Sequence, residues 1–452
     1  MNNRDLNRRS FLKLGASFGM LAGLGKFNLA QAQATDYRAL VCVFLFGGND
    51  GHNMLIPMAP GEYNAYQAKR GFLALGGNKL LPISTAANEQ YALNYGLVEM
   101  QQLFQQGKAA LVANTGILNT PTTLLQYQQG SVPLPTQLYS HADQVVQMQA
   151  GIPSSSASSG WGGRIADLVQ SQNAASSFPV SISFNGSALF CAGQNIVATS
   201  LIPGSPLDQT AMSNGWPQAA VDARAMAQQS IANLGNGNRM IAAADKVMAN
   251  TWQLGNLLKA AGSGGGLTTQ FPNSTLGLQL KEIARFINLR TQTGVGRQVF
   301  FCGLGGFDTH SGQDYQQWVL LQQVSQAIKA FYDATVEMGI ANKVTTFTMS
   351  DFGRSLQPSG TGSDHGWGSH HLVVGGAVNG QQVYGKFPVM NQNSSSYDPN
   401  AFVDSRGVLL PSTSLAQYGA TMAKWMGATD TQLDSLFPEL ANFGVRDLGF
   451  LQ

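Results

Sequence analysis

The chain has 452 residues, 44% of them hydrophobic, which is enough to bury a large core in one big α/β domain or in two to three smaller ones. Only 11% are charged, well under the roughly 25% usual for soluble proteins, so the surface is neutral and rich in Gly, Ser, Asn and Gln. The first 34 residues carry five positive charges and one negative, so the remaining 21 cations and 23 anions net −2 and give nucleic-acid binding no electrostatic support.

At the N-terminus, Asn7 to Lys13 reads NRRSFLK, followed by the apolar run LGASFGMLAGLG and then NLAQAQA with small residues at alternate positions. This is the pattern of a twin-arginine export signal over residues 1–34, with cleavage after Ala32 or Ala34. The apolar run is too short for a membrane anchor, and no later segment approaches the ~18 consecutive apolar residues of a membrane helix. The expected partner is therefore the twin-arginine export machinery, and the expected location of the mature chain, 35–452, is periplasmic or secreted, with no membrane span. Cys42, Cys191 and Cys302 show neither CxxC nor zinc-finger spacing. Buried free thiols are favoured over a Cys42–Cys302 bridge.

Short apolar runs at 39–48, 109–116, 178–184, 297–306 and 344–350 predict buried strands, and helical patterns at 97–107, 280–290 and 318–339 separate some of them. Strands alternating with helices predict an α/β fold with a mostly parallel sheet between helices. The Ala-, Gln-, Asn- and Gly-rich span of about 205–275 predicts a helical insertion or cap. Beyond 375, GGAVNGQQVYG predicts a small hairpin, and 412–427 a C-terminal helix opened by a Ser/Thr cap.

Ligands of open parallel sheets bind beyond the carboxyl ends of the strands. Polar residues there are Asp50, His52 and Asn53 after the first strand, Asp308 and His310 in FDTHSGQ, Asp351 and Arg354 in SDFGRS, and Asp364, His365, His370 and His371 in SDHGWGSHH. The sixth histidine, His141, follows Ser140 in LYSHADQ, where Ser140 would open a helix. Each motif alone reads as an ordinary polar turn. Together, in a chain with only 6 histidines, they point to a metal or catalytic site, since carboxylate with neutral imidazole suits Zn, Mn or Fe. Arg354 either clamps an anion or pairs with a carboxylate such as Asp351. Trp161 reads as core rather than a substrate platform, and His52 as a neighbour of the site rather than a ligand.

In chain order, FLFGGNDGHNMLIP, SHADQ with GWGGRIAD, GGFDTHSGQ, SDFGRS and GSDHGWGSHHLVVGGAVNGQQVYG resemble the signatures of the domain of unknown function 1501 family, whose members are commonly twin-arginine exported and belong to the alkaline phosphatase/sulfatase-like superfamily. The resemblance implies metal ligands at Asp50, Asp308, His310 and Asp351, a nucleophile at the Ser140 position, and one or two divalent ions (Zn, Mn or Ca). Phe352 stands where the superfamily places a histidine after the Asp, so Asp364 and His365 are expected to supply the missing ligands, ahead of His370 and His371. The implied function is an exported metal-dependent hydrolase of a phosphate or sulfate ester, small or glycan-linked, with Ser140 or an activated water attacking. The alternative is a non-catalytic exported protein of the same fold, serving surface assembly or glycan binding.

Overall fold

A computed structural model describes residues 36–173, 176, 178–205, 215–232, 252, 254–256 and 266–452. The export signal expected at 1–34 lies outside these residues, as does much of the insertion expected at 205–275, of which the helix Gln218–Ala232 is described.

In chain order the strands are β1 (Arg38–Leu45), β2 (Leu55–Pro57), β3 (Leu80–Ser84), β4 (Gln90–Asn94), β5 (Ala109–Gly116), β6 (Ser181–Ser183), β7 (Thr199–Ser200), β8 (Arg297–Leu304), β9 (Val344–Ser350), β10 (Arg354–Ser359), β11 (Gly362–His365), β12 (Ser369–Gly375), β13 (Val383–Tyr384) and β14 (Thr413–Ser414). The main sheet runs β13-β5-β12-β9-β1-β8-β6-β7, with β14 also on β5. Its neighbours are parallel except β12, which is antiparallel to both β5 and β9.

Burial on both faces explains why β1 reads as an unbroken apolar run instead of alternating. Val41, Val43 and Leu45 enter one core beside Met100, Ile283, Val324 and Ile328, from the helices Val98–Gln105, Thr275–Asn288 and Gln313–Glu337. Leu40, Cys42 and Phe44 enter the other, beside Ile165, Tyr418, Met422 and Leu433, from the helices Trp161–Leu168, Leu415–Met426 and Asp430–Leu436. The sheet is thus sandwiched between helices. All three cysteines are buried and free. Although β1 and β8 are neighbours, Cys42 and Cys302 lie in opposite cores, so no bridge can join them. Trp161 is fully buried against Phe190, Phe347 and Phe437.

The segment after 375 is not a hairpin. β12 and β13 both hydrogen-bond to β5, which lies between them, and Val383 pairs in parallel with Leu111. The feature that places the site is the central trio β9-β1-β8, whose parallel register sets Leu45 opposite both Leu304 and Ser350. Whatever follows these three strands emerges at one edge of the sheet.

Candidate metal centre

Two glycines after β1 let the three strand ends approach each other. Gly47 has φ +114°, and a Cβ there would lie 2.4 Å from the Asp308 backbone nitrogen. Gly48 has φ +80°, and its Cβ would lie 2.5 Å from the Phe352 ring. Only glycine fits both the backbone conformation and the space. The Gly47 N–H donates to both oxygens of Asp351, at 3.1 and 3.2 Å, tying the end of β1 to the end of β9.

Asp351 is 2% exposed and also accepts from His141 Nδ1 at 2.7 Å. His141 is the first residue of the helix His141–Ala150. With Nδ1–H committed to a carboxylate, neutral His141 presents the lone pair of Nε2. The same logic holds for His365, at the end of β11, whose Nδ1 lies 2.7 Å from the Tyr139 carbonyl. Tyr139 has φ +73°, a conformation that is costly for a non-glycine residue and marks a constrained position. The two Nε2 atoms face each other at 3.1 Å, and each lies 3.3 Å from Asp308 Oδ1. Lone pairs cannot face each other at that distance unless a proton or a cation lies between them.

His141, Asp308 and His365 form a compact triad able to hold a metal ion. Donors about 2.0–2.1 Å from a tetrahedral ion lie roughly 3.3 Å apart, so the triad's edges already match one face of such a site. His310 Nε2 lies 3.0 Å from both Asp308 Oδ1 and His365 Nε2, but outside the compact triad. Its Nδ1 has Asp364 Oδ1 at 3.6 Å, too far for a hydrogen bond. Arg354, buried, donates to Asp308 Oδ1 at 2.7 Å and to the carbonyls of Gly47, at 3.3 Å, and Ser363. Phe352 lays its ring against those of His141 and His365, with centroids 4.7 and 4.8 Å away.

The protonation tendencies follow from these contacts. The hydrogen bond to Asp351 raises the His141 pKa against the opposing effect of burial. Burial lowers that of His365. Burial also pushes the Asp308 carboxyl up, but the Arg354 hydrogen bond and charge, joined by His141 and His310, outweigh it and leave Asp308 below its ordinary value. An open depression of about 390 Å³ adjoins the triad, lined by Phe46, Gly47, His141, Ala142, Val145, Gly305, Gly306, Asp308 and Asp351.

A family model described as "Protein of unknown function (DUF1501)" matches residues 37–436. The chain belongs to the DUF1501 family. No curated protein matches it. Among solved structures, the crystal structure of the PsFucS1 sulfatase from Pseudoalteromonas sp. is similar at a TM-score of 0.31 and 10% identity, over 90% of this chain and 77% of that one.

Within this DUF1501 chain, the structure brings only some of the residues picked out in the sequence together. Asp308 and His365 belong to the triad, and His310 touches both. Asp351 is one hydrogen bond behind it, and Asp364 lies beside His310. Arg354 pairs with Asp308, not with Asp351. Asp50 is elsewhere: fully buried, its carboxylate accepts from Arg70, from Gln313 and, at 3.3 Å, from the Asn53 N–H, so a cation already balances it.

Ser140 does stand at the helix start, but its hydroxyl donates to Asp143 at 2.6 Å. His370 and His371 are buried, stacked on Phe387 and Tyr418, and neither joins the triad. The residue that sequence reasoning missed is His141. Its signal was present, since it lies inside the SHADQ motif, but the neighbouring serine drew the assignment.

Proposed function

We propose that this chain is an exported hydrolase of phosphate or sulfate esters that works with a divalent ion held by His141, Asp308 and His365, with His310 as an adjoining donor. One observation carries the reading: two imidazoles, each with Nδ1 committed to an acceptor, turn their Nε2 atoms toward each other and toward one carboxylate oxygen at 3.1–3.3 Å. Three imidazoles and a carboxylate favour Zn, Mn or Fe over Ca, which takes oxygen ligands. When bound, such an ion supplies Lewis acidity toward an ester oxygen and toward water.

The protein's own groups prepare the site. Asp351 fixes the tautomer and orientation of His141, and the Tyr139 carbonyl does the same for His365, the acceptor arrangement that usually stands behind ligating histidines. Arg354 keeps Asp308 ionised and aimed. Phe352 closes one side of both rings to water. Ser140 is turned to Asp143, which favours water over the serine hydroxyl as the attacking group. His310, half exposed with Nε2 3.0 Å from Asp308, stands at the open side of the triad.

The test is metal analysis of protein purified from its native export route, followed by a panel of phosphate and sulfate esters. Metal at one equivalent with turnover supports the reading. Metal without turnover on any ester favours the non-catalytic surface or glycan-binding alternative, to which the engaged Ser140 also lends support, and absence of metal removes the reading altogether.

A further inference from the structure

The depression beside the triad has an uneven chemistry. Among the described residues its lining contains no Lys, Arg, Asn, Gln, Ser, Thr or Tyr. Phe46, Ala142 and Val145 give it apolar surface, and Gly305 and Gly306 add backbone without side chains, so a flat group can lie close against it. Its polar side chains are His141, Asp308 and Asp351, and the first and last of these are bonded to each other. A sugar ring, which needs donors and acceptors around its hydroxyls, finds few here, whereas an apolar or aromatic group finds a matching slot.

The charge around the triad is equally one-sided. Asp308, Asp351 and Asp364 face one guanidinium, Arg354, which is buried and already donates to Asp308 and to two carbonyls. Arg406, whose charge reaches Asp364, is neutralised by Asp404 at 2.7 Å. Among the described residues, three carboxylates against the one guanidinium leave a net of −2, with ligating imidazoles neutral as metal binding requires. One divalent ion brings this to zero. Among the described residues no further cation lines the depression to meet a second negative charge on a ligand.

We propose that the site takes a singly charged tetrahedral ester, a sulfate monoester or a phosphodiester, carrying an apolar or aromatic group in the Phe46–Val145 slot, and discriminates against dianionic phosphate monoesters. The proposal rests on the one-ion reading above and adds the charge and the organic half of the substrate.

Unreactive ligands of matched shape test it by calorimetry on the zinc-loaded full-length mature protein at pH 8.5. Benzenesulfonate carries one charge, phenylphosphonate two, and methanesulfonate one charge without the ring. Benzenesulfonate is expected to bind at least tenfold more tightly than either of the others. Placing a cation in the slot with Ala142→Lys, at an exposed position, is expected to shift preference at least tenfold toward phenylphosphonate. Tighter binding of phenylphosphonate by the parent protein overturns the charge argument, and equal binding of the two sulfonates overturns the slot. Zinc content measured on the same samples separates the two levels: full zinc with the wrong preference, or with no anion binding, defeats only this proposal, while failure to hold zinc defeats it together with the reading beneath it.

Discussion

Replacing Asp50 with Asn separates two roles that the sequence alone leaves together, ligand and internal counter-ion. In the structure Asp50 and Arg70 are both fully buried; burial, with the charge of Arg354 adding to it, lowers the Arg70 pKa to about 9, so the guanidinium stays charged at neutral pH and needs an internal counter-ion. Arg70 also donates to the carbonyls of Ser355 and Leu356 at 2.9 and 2.8 Å and to Asn53 Oδ1 at 3.0 Å. Asp50→Asn leaves those bonds but removes the carboxylate charge opposite the guanidinium, and it turns an amide N–H₂ either toward the Arg70 and Gln313 donors, which share Oδ2, or toward the Asn53 N–H on Oδ1. Breaking a buried pair on one side costs about 3–5 kcal/mol, a large part of a total stability of ~5–15 kcal/mol. Urea unfolding followed by circular dichroism should therefore show a loss of that size, while zinc bound per folded chain stays unchanged. The double change Asp50→Asn with Arg70→Met should be less damaging than the sum of the singles by about 2 kcal/mol, the coupling expected of residues in contact. An Asp50→Asn protein that keeps its full stability but loses its metal would refute this account and return Asp50 to the ligand set.

Four further outcomes are expected. His141→Ala should lower bound metal at least tenfold while Ser140→Ala leaves it unchanged, and Asp351→Asn should weaken metal binding by roughly 10–100-fold through misorientation of His141. His365→Ala should also lower bound metal at least tenfold, whereas His371→Ala should leave it nearly unchanged, with elemental analysis as the readout for all five variants. Burial holds the pKa of His52 at about 4 and that of His371 at about 3; because the unfolded chain binds these protons more readily, stability present above about pH 6.5 is lost progressively as pH falls toward those values, by about 2–3 kcal/mol per histidine at pH 4.5, and His371→Phe should flatten the decline seen in urea titrations. Replacing Arg8 and Arg9 with Lys should leave a longer, uncleaved form inside the cell, visible by immunoblot of cell fractions.

How much of this was legible in the sequence depended on whether the deciding interaction was local. The strands of the sheet were readable because a strand buried on both faces is a continuous apolar run, as in ALVCVFL, and the edge carrying the site followed from parallel connections. The path after β12 was not readable, since nothing in GGAVNGQQVYG says that β5 already lies between the two segments that would have paired. Asp50 follows a strand and a glycine pair just as a ligand would. Its assignment turned on Arg70 and Gln313, which reach it from two separate helices. His370 and His371 are similar: their residue type suggested ligation, but alternate positions on β12 send them to opposite sides of a buried strand.

Phe352 is the most informative of these departures: the resemblance leads one to expect a histidine there, and the structure sets a different histidine, His141, against Asp351. An imidazole directly after Asp351 would come from the end of β9. Here an imidazole comes from the first turn of the helix His141–Ala150, and Asp351 accepts from its Nδ1 at 2.7 Å. The phenyl ring of Phe352 packs on both triad histidines, and Gly48 lacks the Cβ that would obstruct it. The helix start to which the resemblance assigns an attacking hydroxyl presents the Nε2 of His141 to the triad, and the adjacent Ser140 points to Asp143. On the proposed reading the nucleophile comes from solvent, so no covalent ester should form on Ser140. Phe352→His, which restores the expected residue without removing His141, should add a donor beside the triad and tighten zinc binding if the ring can turn inward; a fall in zinc affinity would show instead that packing by the phenyl ring is what holds His141 and His365 in place.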